Sequence, residues 1–304
     1  FVPPSPRLCA PQFDSMIRTC LLLALLGLSA ALPSAPLHLR TPQQQPMRLK
    51  GGWLNENQLL NTVAGLEVAS GATMILLPKE TLDVYGVKTQ SQMERNSMQW
   101  FGNELIAVSI LILAHNSGMS FFQSMGLCAA WSSLFMLWQT YATEGLVDLA
   151  KCDRKPFLPW IIALAATAVL GLTDGAGLGI DLNNVAKFWG LVFALQSVFV
   201  YFFNDTFLKT YGIEDGSRLM TTLGQSNAVF LMGQGIYYWL ASEGNTKAEA
   251  LLPMMTLAGI YFAKQVVTQE WRKVNAMHGV GPAFWMLVDS LLGYNLCRIT
   301  RNKA

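Results

Sequence analysis

Four ionisable residues fall inside stretches otherwise apolar enough to lie in a bilayer: Glu67, Glu104, Lys264 and Asp289. A charge in hydrocarbon costs at least a few kcal/mol, so such residues persist where they pair, bind or conduct. The chemistry on offer is a polar path or a binding pocket, with Lys264 placed to pair with Asp289 or Glu67. The plainer alternative is a pair that only ties helices together, or long side chains of Glu104 and Lys264 reaching back to the interface. Nearby amides, among them Asn61, Gln99, Asn103, Gln139, Gln196, Gln225, Asn227 and Gln234, suit hydrogen bonds between helices. His115 offers a neutral imidazole for a chlorophyll magnesium or a haem iron, or it is a wet interfacial side chain.

Other chemistries lack their residues. Three histidines (His38, His115, His278) and five scattered cysteines with no C-x-x-C pair give neither a zinc site nor a disulfide framework. The run Gly175-Ala-Gly-Leu-Gly179 lacks the G-x-G-x-x-G spacing and reads as a flexible joint. Asn204-Asp-Thr206 fits a glycosylation sequon but abuts an apolar run. A net charge of +2 without a dense basic patch excludes nucleic acid as a partner. No catalytic residue is assigned, and no cofactor is specified.

The elements that must position these groups are long and apolar. The chain is 52% hydrophobic and 13% charged, with a mean hydropathy of +0.33. Soluble domains carry about 25% charged residues, so the bilayer is the natural solvent. Eight apolar runs follow one another at 58–77, 98–114, 119–141, 157–172, 188–203, 226–241, 250–267 and 282–297. Only helices satisfy their own backbone groups in lipid, so the fold is all-α integral membrane with about eight transmembrane helices. The fourth and eighth runs are the weakest spans. Trp100, Trp160, Trp189, Trp239 and Trp271 fall near run ends, where interfacial tryptophans sit. Lys and Arg are richer in the loops after odd-numbered runs, which points that side to cytosol or stroma.

The N-terminus reads as an address. Residues 1–15 have no pattern and are expected to be an upstream artefact; Met16 opens a signal peptide over 16–35, with Arg18 before the apolar 21–32. The segment 36–52 is basic and acid-free. Together they resemble the bipartite presequence of plastid proteins in algae with secondary plastids, which implies a plastid membrane. The alternative is a signal peptide and a disordered linker, hence an endomembrane or plasma membrane protein.

The two halves of the remaining chain match. At an offset of 126, Leu82, Tyr85, Gly86, Val87 and Gln99 meet Leu208, Tyr211, Gly212, Ile213 and Gln225. The expected organisation is a four-helix repeat at 53–172, a joint at 173–185, a second repeat at 186–298 and a basic tail at 299–304. Such a direct repeat implies halves related by an axis along the membrane normal. Each half, with its break after the first helix, its Tyr-Gly pair and the Trp100-Phe-Gly102-Asn opening of its second helix, resembles the small DoxX-like membrane proteins. That resemblance brings no functional residue. Glu67 and Glu104 align with Phe193 and Phe230, so the halves differ where chemistry would sit. The functional expectation is a structural, assembly or accessory subunit contacting lipid, other membrane proteins or pigments. The alternatives are a transporter using buried carboxylates and a membrane-embedded enzyme.

Overall fold

A computed structural model describes residues 56–301 except 144, 177, 178, 215 and 275–279. The leader segments at 1–52 and the end of the basic tail lie outside the described residues, as does the side chain of Trp271. The regular structure of the described chain is helical, with ten α-helices: α1 (Glu56–Leu76), α2 (Pro78–Val84), α3 (Gln92–Asn116), α4 (Phe121–Leu137), α5 (Phe157–Leu172), α6 (Leu182–Phe202), α7 (Asn204–Thr210), α8 (Arg218–Ser242), α9 (Lys247–Thr268) and α10 (Val280–Arg301). No strand occurs among the described residues.

Local chemistry sets these boundaries. Ser91 and Glu94, Ser120 and Gln123, and Thr246 and Glu249 form reciprocal capping boxes that start α3, α4 and α9. Pro78 occupies the first turn of α2, where its missing N–H is not needed. Two wide π turns, Trp138–Ala142 and Gly145–Leu149, end the fourth helix.

An offset of 126 carries Glu56 to Leu182 and Leu76 to Phe202, and maps the bounds of α2 and α3 onto those of α7 and α8. The same offset pairs the left-handed glycines Gly86 with Gly212 and Gly118 with Gly244. It also pairs two interhelix hydrogen bonds, Gln99 Nε2 to Ile75 O (2.9 Å) and Gln225 Nε2 to Tyr201 O (3.3 Å).

The helices form a closed ring about a central pair. α3 and α8 pack on each other, α1 lies along α3, and α6 lies along α8. The α4–α5 hairpin bridges from α3 to α6, and the α9–α10 hairpin bridges from α8 to α1. Ser217, the N-cap of α8, donates to Glu94 Oε1 of α3 at 2.7 Å, holding the two central N-termini level. Backbones touch at glycines: a Cβ on Gly71 would stand 2.6 Å from Gly102 O, and one on Gly190 would stand 2.9 Å from Gly235 O.

Five helices are long and apolar enough to cross a membrane: α1, α3, α4 with its first π turn, α6 and α9. They fit an integral membrane protein. Three further apolar runs are helical but do not reach that standard. α5 has 16 residues, α10 carries Asp289, Arg298 and Arg301, and α8 is rich in amides and hydroxyls. For α8 the reason is its central place, since a helix shielded by protein need not be dressed for lipid. The outer surface is apolar where lipid would meet it. Phe188, Leu191, Leu195, Val198 and Phe202 make an exposed stripe on α6, and Phe284, Leu287, Leu291 and Tyr294 make one on α10.

Several tryptophans expected at the interface turn inward instead. Trp189 is buried and donates from Nε1 to Thr167 Oγ1 at 2.7 Å, and Trp100 stacks on Phe157 at 5.7 Å. Trp239 is 44% exposed, as expected of an interfacial ring.

Candidate functional site

The site is a slot between α3, α4, α5, α6 and α8, closed at one end by α7. Its walls are stripes one helix face wide. On α8 they are Met220, Leu223, Gly224, Asn227, Ala228, Leu231 and Gln234, and on α3 they are Met93, Ser97, Trp100 and Glu104. At 1.5 Å per residue, the α8 stripe alone runs about 20 Å along the helix. The cavity has a volume of about 140 Å³. One water occupies about 10–15 Å³ on that measure, so a sizeable molecule fits.

Apolar and aromatic side chains make most of the wall, with a few polar groups placed in it. Glu104 lies near the deep end and is 8% exposed. Asn103 Nδ2 at 3.4 Å is its only hydrogen-bond donor among the described residues. Beside it, Gln234 Nε2 donates to Cys128 Sγ and to Tyr238 OH, both at 3.1 Å. That amide has therefore spent both N–H groups on its neighbours. Asn227 Oδ1 and Asn204 Oδ1 are buried without a partner, and both residues line the slot. Among the described residues, no Lys, Arg or His lines it.

At the α7 end, Tyr211 and Cys152 close the wall. Tyr211 packs on Phe157 at 4.7 Å and on Phe207 at 5.0 Å. Burial, with Cys152 nearby, pushes its phenol up to about 12. Burial also pushes the Cys152 thiol up to about 12, with Asp153 adding to it. Both groups are therefore neutral at physiological pH. Gly212 follows Tyr211 with φ 79°, which a glycine adopts without cost, and lets Tyr211 O accept from Asp153 N at 2.8 Å. The Tyr85–Gly86 pair repeats this turn against another part of the chain. Tyr85 lies over Gly281 and its hydroxyl faces Trp285, while burial raises its phenol. Tyr211 faces Trp160 in the same manner.

A second, smaller cavity of about 40 Å³ lies beside Tyr85, between α3, α8, α9 and α10. Met98, Phe101, Tyr261 and Trp285 occupy much of its wall.

The other expected site residues do not share the slot. Glu67 of α1 and Asp289 of α10 are 3% and 2% exposed and lie within electrostatic reach of each other. Ser109 Oγ is 3.3 Å from Glu67 Oε2 and 2.7 Å from Leu105 O. Asp289 Oδ2 is buried without a hydrogen-bond partner. Lys264 joins neither carboxylate. Its ammonium, 41% exposed, pairs with Glu270 at 3.7 Å and donates to Tyr201 OH at 3.3 Å, because the last turn of α9 carries it to the bundle end. His115 stands at the opposite end of α3, with Nδ1 2.9 Å from Tyr237 OH and its ring beside Phe121. One imidazole nitrogen is thus already engaged.

No known protein family, characterised protein or solved structure matches the chain.

Cys128, Asn204, Gly224 and Tyr238 belong to the site and were not singled out for it by sequence. A signal was present in the offset of 126. It sets Gly224, Asn227 and Glu104 against Met98, Phe101 and Phe230, three small or polar residues against three bulky ones.

Proposed function

We propose that the protein is a membrane-embedded binding component, a duplicated four-helix unit of eight spans that holds an amphipathic small molecule in the slot beside Glu104. The observation that carries this reading is the slot itself, apolar along its walls, with buried, unpartnered Asn204 and Asn227 oxygens and the Glu104 carboxylate turned to it. Ligand sites are typically such concave apolar spaces with a few polar groups to orient the occupant. Duplication is supported by helix bounds, glycine turns and glutamine hydrogen bonds that recur at an offset of 126. On this reading each cavity is built from both halves, and the two have diverged. Met98 and Phe101 narrow one, with Phe101 packed on Phe230 at 5.7 Å. Gly224 and Asn227 leave the other open.

The protein, purified in mild detergent, is expected to carry a bound molecule visible as excess mass in native mass spectrometry. Gly224→Met, which restores the bulk of its counterpart, is expected to remove it. A parent protein without excess mass, and without saturable uptake of any amphiphile, would overturn the reading. The DoxX-like origin of each half and a plastid membrane as the location belong to the same proposal. A fluorescent fusion carrying residues 16–55 checks the address, and retention in the secretory path would refute the plastid assignment.

A second reading, transport of a small molecule or ion, has one observation in its favour: Glu67 and Asp289 are both buried within electrostatic reach of each other, with Ser109 beside Glu67. Unchanged flux across vesicles after Glu67→Gln and Asp289→Asn would remove that support.

A further inference from the structure

The polar side of the slot is short of N–H donors and of positive charge, which bears on the chemistry of its occupant; this step rests on the binding reading above. Glu104 puts a carboxylate in the wall that receives one long hydrogen bond, from Asn103 Nδ2 at 3.4 Å. Asn204 Oδ1 and Asn227 Oδ1 are buried without a donor. Gln234 gives its N–H groups to Cys128 and Tyr238, and Ser97 gives its hydroxyl proton to Met93 O at 3.0 Å. Neither has a donor left for the slot. Ser132, Gln196 and Tyr211 also line it, and each can give or accept, so they do not set the balance. Among the described residues, no cationic side chain offsets Glu104 there.

The three acceptors stand one above another. Ser217 of α8 bonds to Glu94 of α3 where both helices start, so residues on the two can be levelled from that point. On that count Asn227 lies about one turn, roughly 5 Å, before Glu104. Gly224 lies about one turn before Asn227, and Asn204 stands beside it, since a Cβ on Gly224 would come within 2.5 Å of Asn204 Nδ2. A single group at the level of Asn227 therefore has one acceptor beside it, one a turn above and one a turn below.

A primary ammonium has three N–H donors, no acceptor and one positive charge. It matches the three acceptors in number and cancels the carboxylate, whose burial without a counter-charge is costly. Other heads match less. A hydroxyl brings one donor and no charge, a quaternary ammonium brings charge and no donor, and a carboxylate or phosphate is repelled. A hard metal ion needs about six oxygens within roughly 2.3–2.6 Å, and acceptors a turn apart do not close on one ion. The facing wall, made by the α4–α5 hairpin, is largely apolar: Met136, Phe157, Trp160 and Leu164. Trp100, one turn before Glu104 on the same stripe of α3, sets an indole near the head, where an aromatic face attracts a cation. The volume takes roughly ten waters, or about as many methylenes.

We infer that the slot binds a lipophilic primary amine as its ammonium ion, with the head at the level of Asn227 between Glu104 and Asn204, and the hydrocarbon body against Phe157 and Trp160.

Bromine quenching of tryptophan fluorescence tests this, because Trp100 and Trp160 line the slot. The full-length protein in detergent is titrated with five probes of one chain: 10,11-dibromoundecan-1-amine, its trimethylammonium analogue, the matching alcohol, the matching carboxylic acid and 1,2-dibromoundecane. The Trp100→Phe, Trp160→Phe double variant gives the background from the other tryptophans. The amine is expected to saturate at a mole fraction about tenfold or more below each of the others. Glu104→Gln, which keeps the shape and removes the charge, is expected to bring the amine within about threefold of the alcohol while the alcohol saturates as before. Gly224→Met, eluting as the parent does on gel filtration, is expected to abolish saturable quenching by all five. The ranking on the parent protein decides the head by itself. If any other probe saturates as early as the amine, the ammonium inference is overturned, and the cavity reading stands so long as the double tryptophan variant loses that quenching. If no probe saturates, the cavity reading itself falls.

Discussion

Gly171→Ala measures how far the bundle depends on backbone contact between α4 and α5. A Cβ at Gly171 would stand 2.5 Å from Phe122 O, 2.7 Å from Gly126 Cα and 2.8 Å from Gly126 N. All three are backbone atoms, so no flexible side chain can turn aside. Ordinary contact begins at 3.4 Å, so the helices must part by roughly 0.6–0.9 Å. A gap of that size forfeits about a quarter to a half of the dispersion attraction across the contact. It also strains the Ser133 Oγ to Ile161 O hydrogen bond, 3.1 Å, which links the same two helices. Overpacking of this kind costs about 1–3 kcal/mol. Alanine returns up to about 1 kcal/mol of helix propensity. The net expectation is a loss of up to about 2 kcal/mol.

Gly65→Ala is the internal control. Nothing lies within 4 Å of a Cβ there, so the propensity gain stands alone. The two variants should move the apparent melting temperature in opposite directions, by about 2–4 °C per kcal/mol. A thiol-reactive dye reports unfolding in detergent, because Cys128 and Cys152 are buried in the fold. Gly171→Ala melting at or above the parent protein would refute the close-contact argument.

Cys152 should alkylate at pH 8 about a thousandfold more slowly in the folded protein than after denaturation, because the thiolate reacts and its pKa rises from 9.0 to about 12. The same shift makes the fold hold that proton more tightly than the unfolded chain, so its stabilising share is present below pH 9 and is lost as pH rises from there toward 12; a melting series over pH 7–10 that climbs instead would contradict this. Thr246→Ala breaks the capping box of α9 and should lower stability by about 1 kcal/mol, read as a fall in melting temperature. Asp289→Leu removes a buried oxygen without a partner and its repulsion with Glu67, and is expected to raise stability by about 1 kcal/mol. A fall in melting temperature for Asp289→Leu would mean that the carboxylate makes a stabilising contact of its own.

Much of the fold was legible in local pattern. Apolar length located the helices, but the capping boxes at Ser91, Ser120 and Thr246 start α3, α4 and α9 at 92, 121 and 247, where the apolar runs begin at 98, 119 and 250. The interhelix amides were legible in kind, since Gln99, Gln139 and Gln225 do bond across helices. Their partners were not. The pairing of Lys264 with Glu67 or Asp289 failed because mean hydropathy puts a residue in a helix but says nothing of which neighbour it faces. Trp100 and Trp160 failed as interfacial anchors for a related reason: a tryptophan near a helix end can face outward to lipid or inward to a slot. Position along the chain does not decide between them.

Sequence by itself determined that the chain is a set of long apolar helices and that a few carboxylates lie within them. These follow from hydropathy and propensity, which act over a turn or two. Tertiary structure alone decided that Glu104, Gln234 and Asn227 line one open slot while Glu67 and Asp289 come within electrostatic reach of each other elsewhere. Those pairs are far apart in sequence, and only the glycine-mediated approach of α1 to α3 and of α6 to α8, with the hairpins closed around them, sets which faces look at one another.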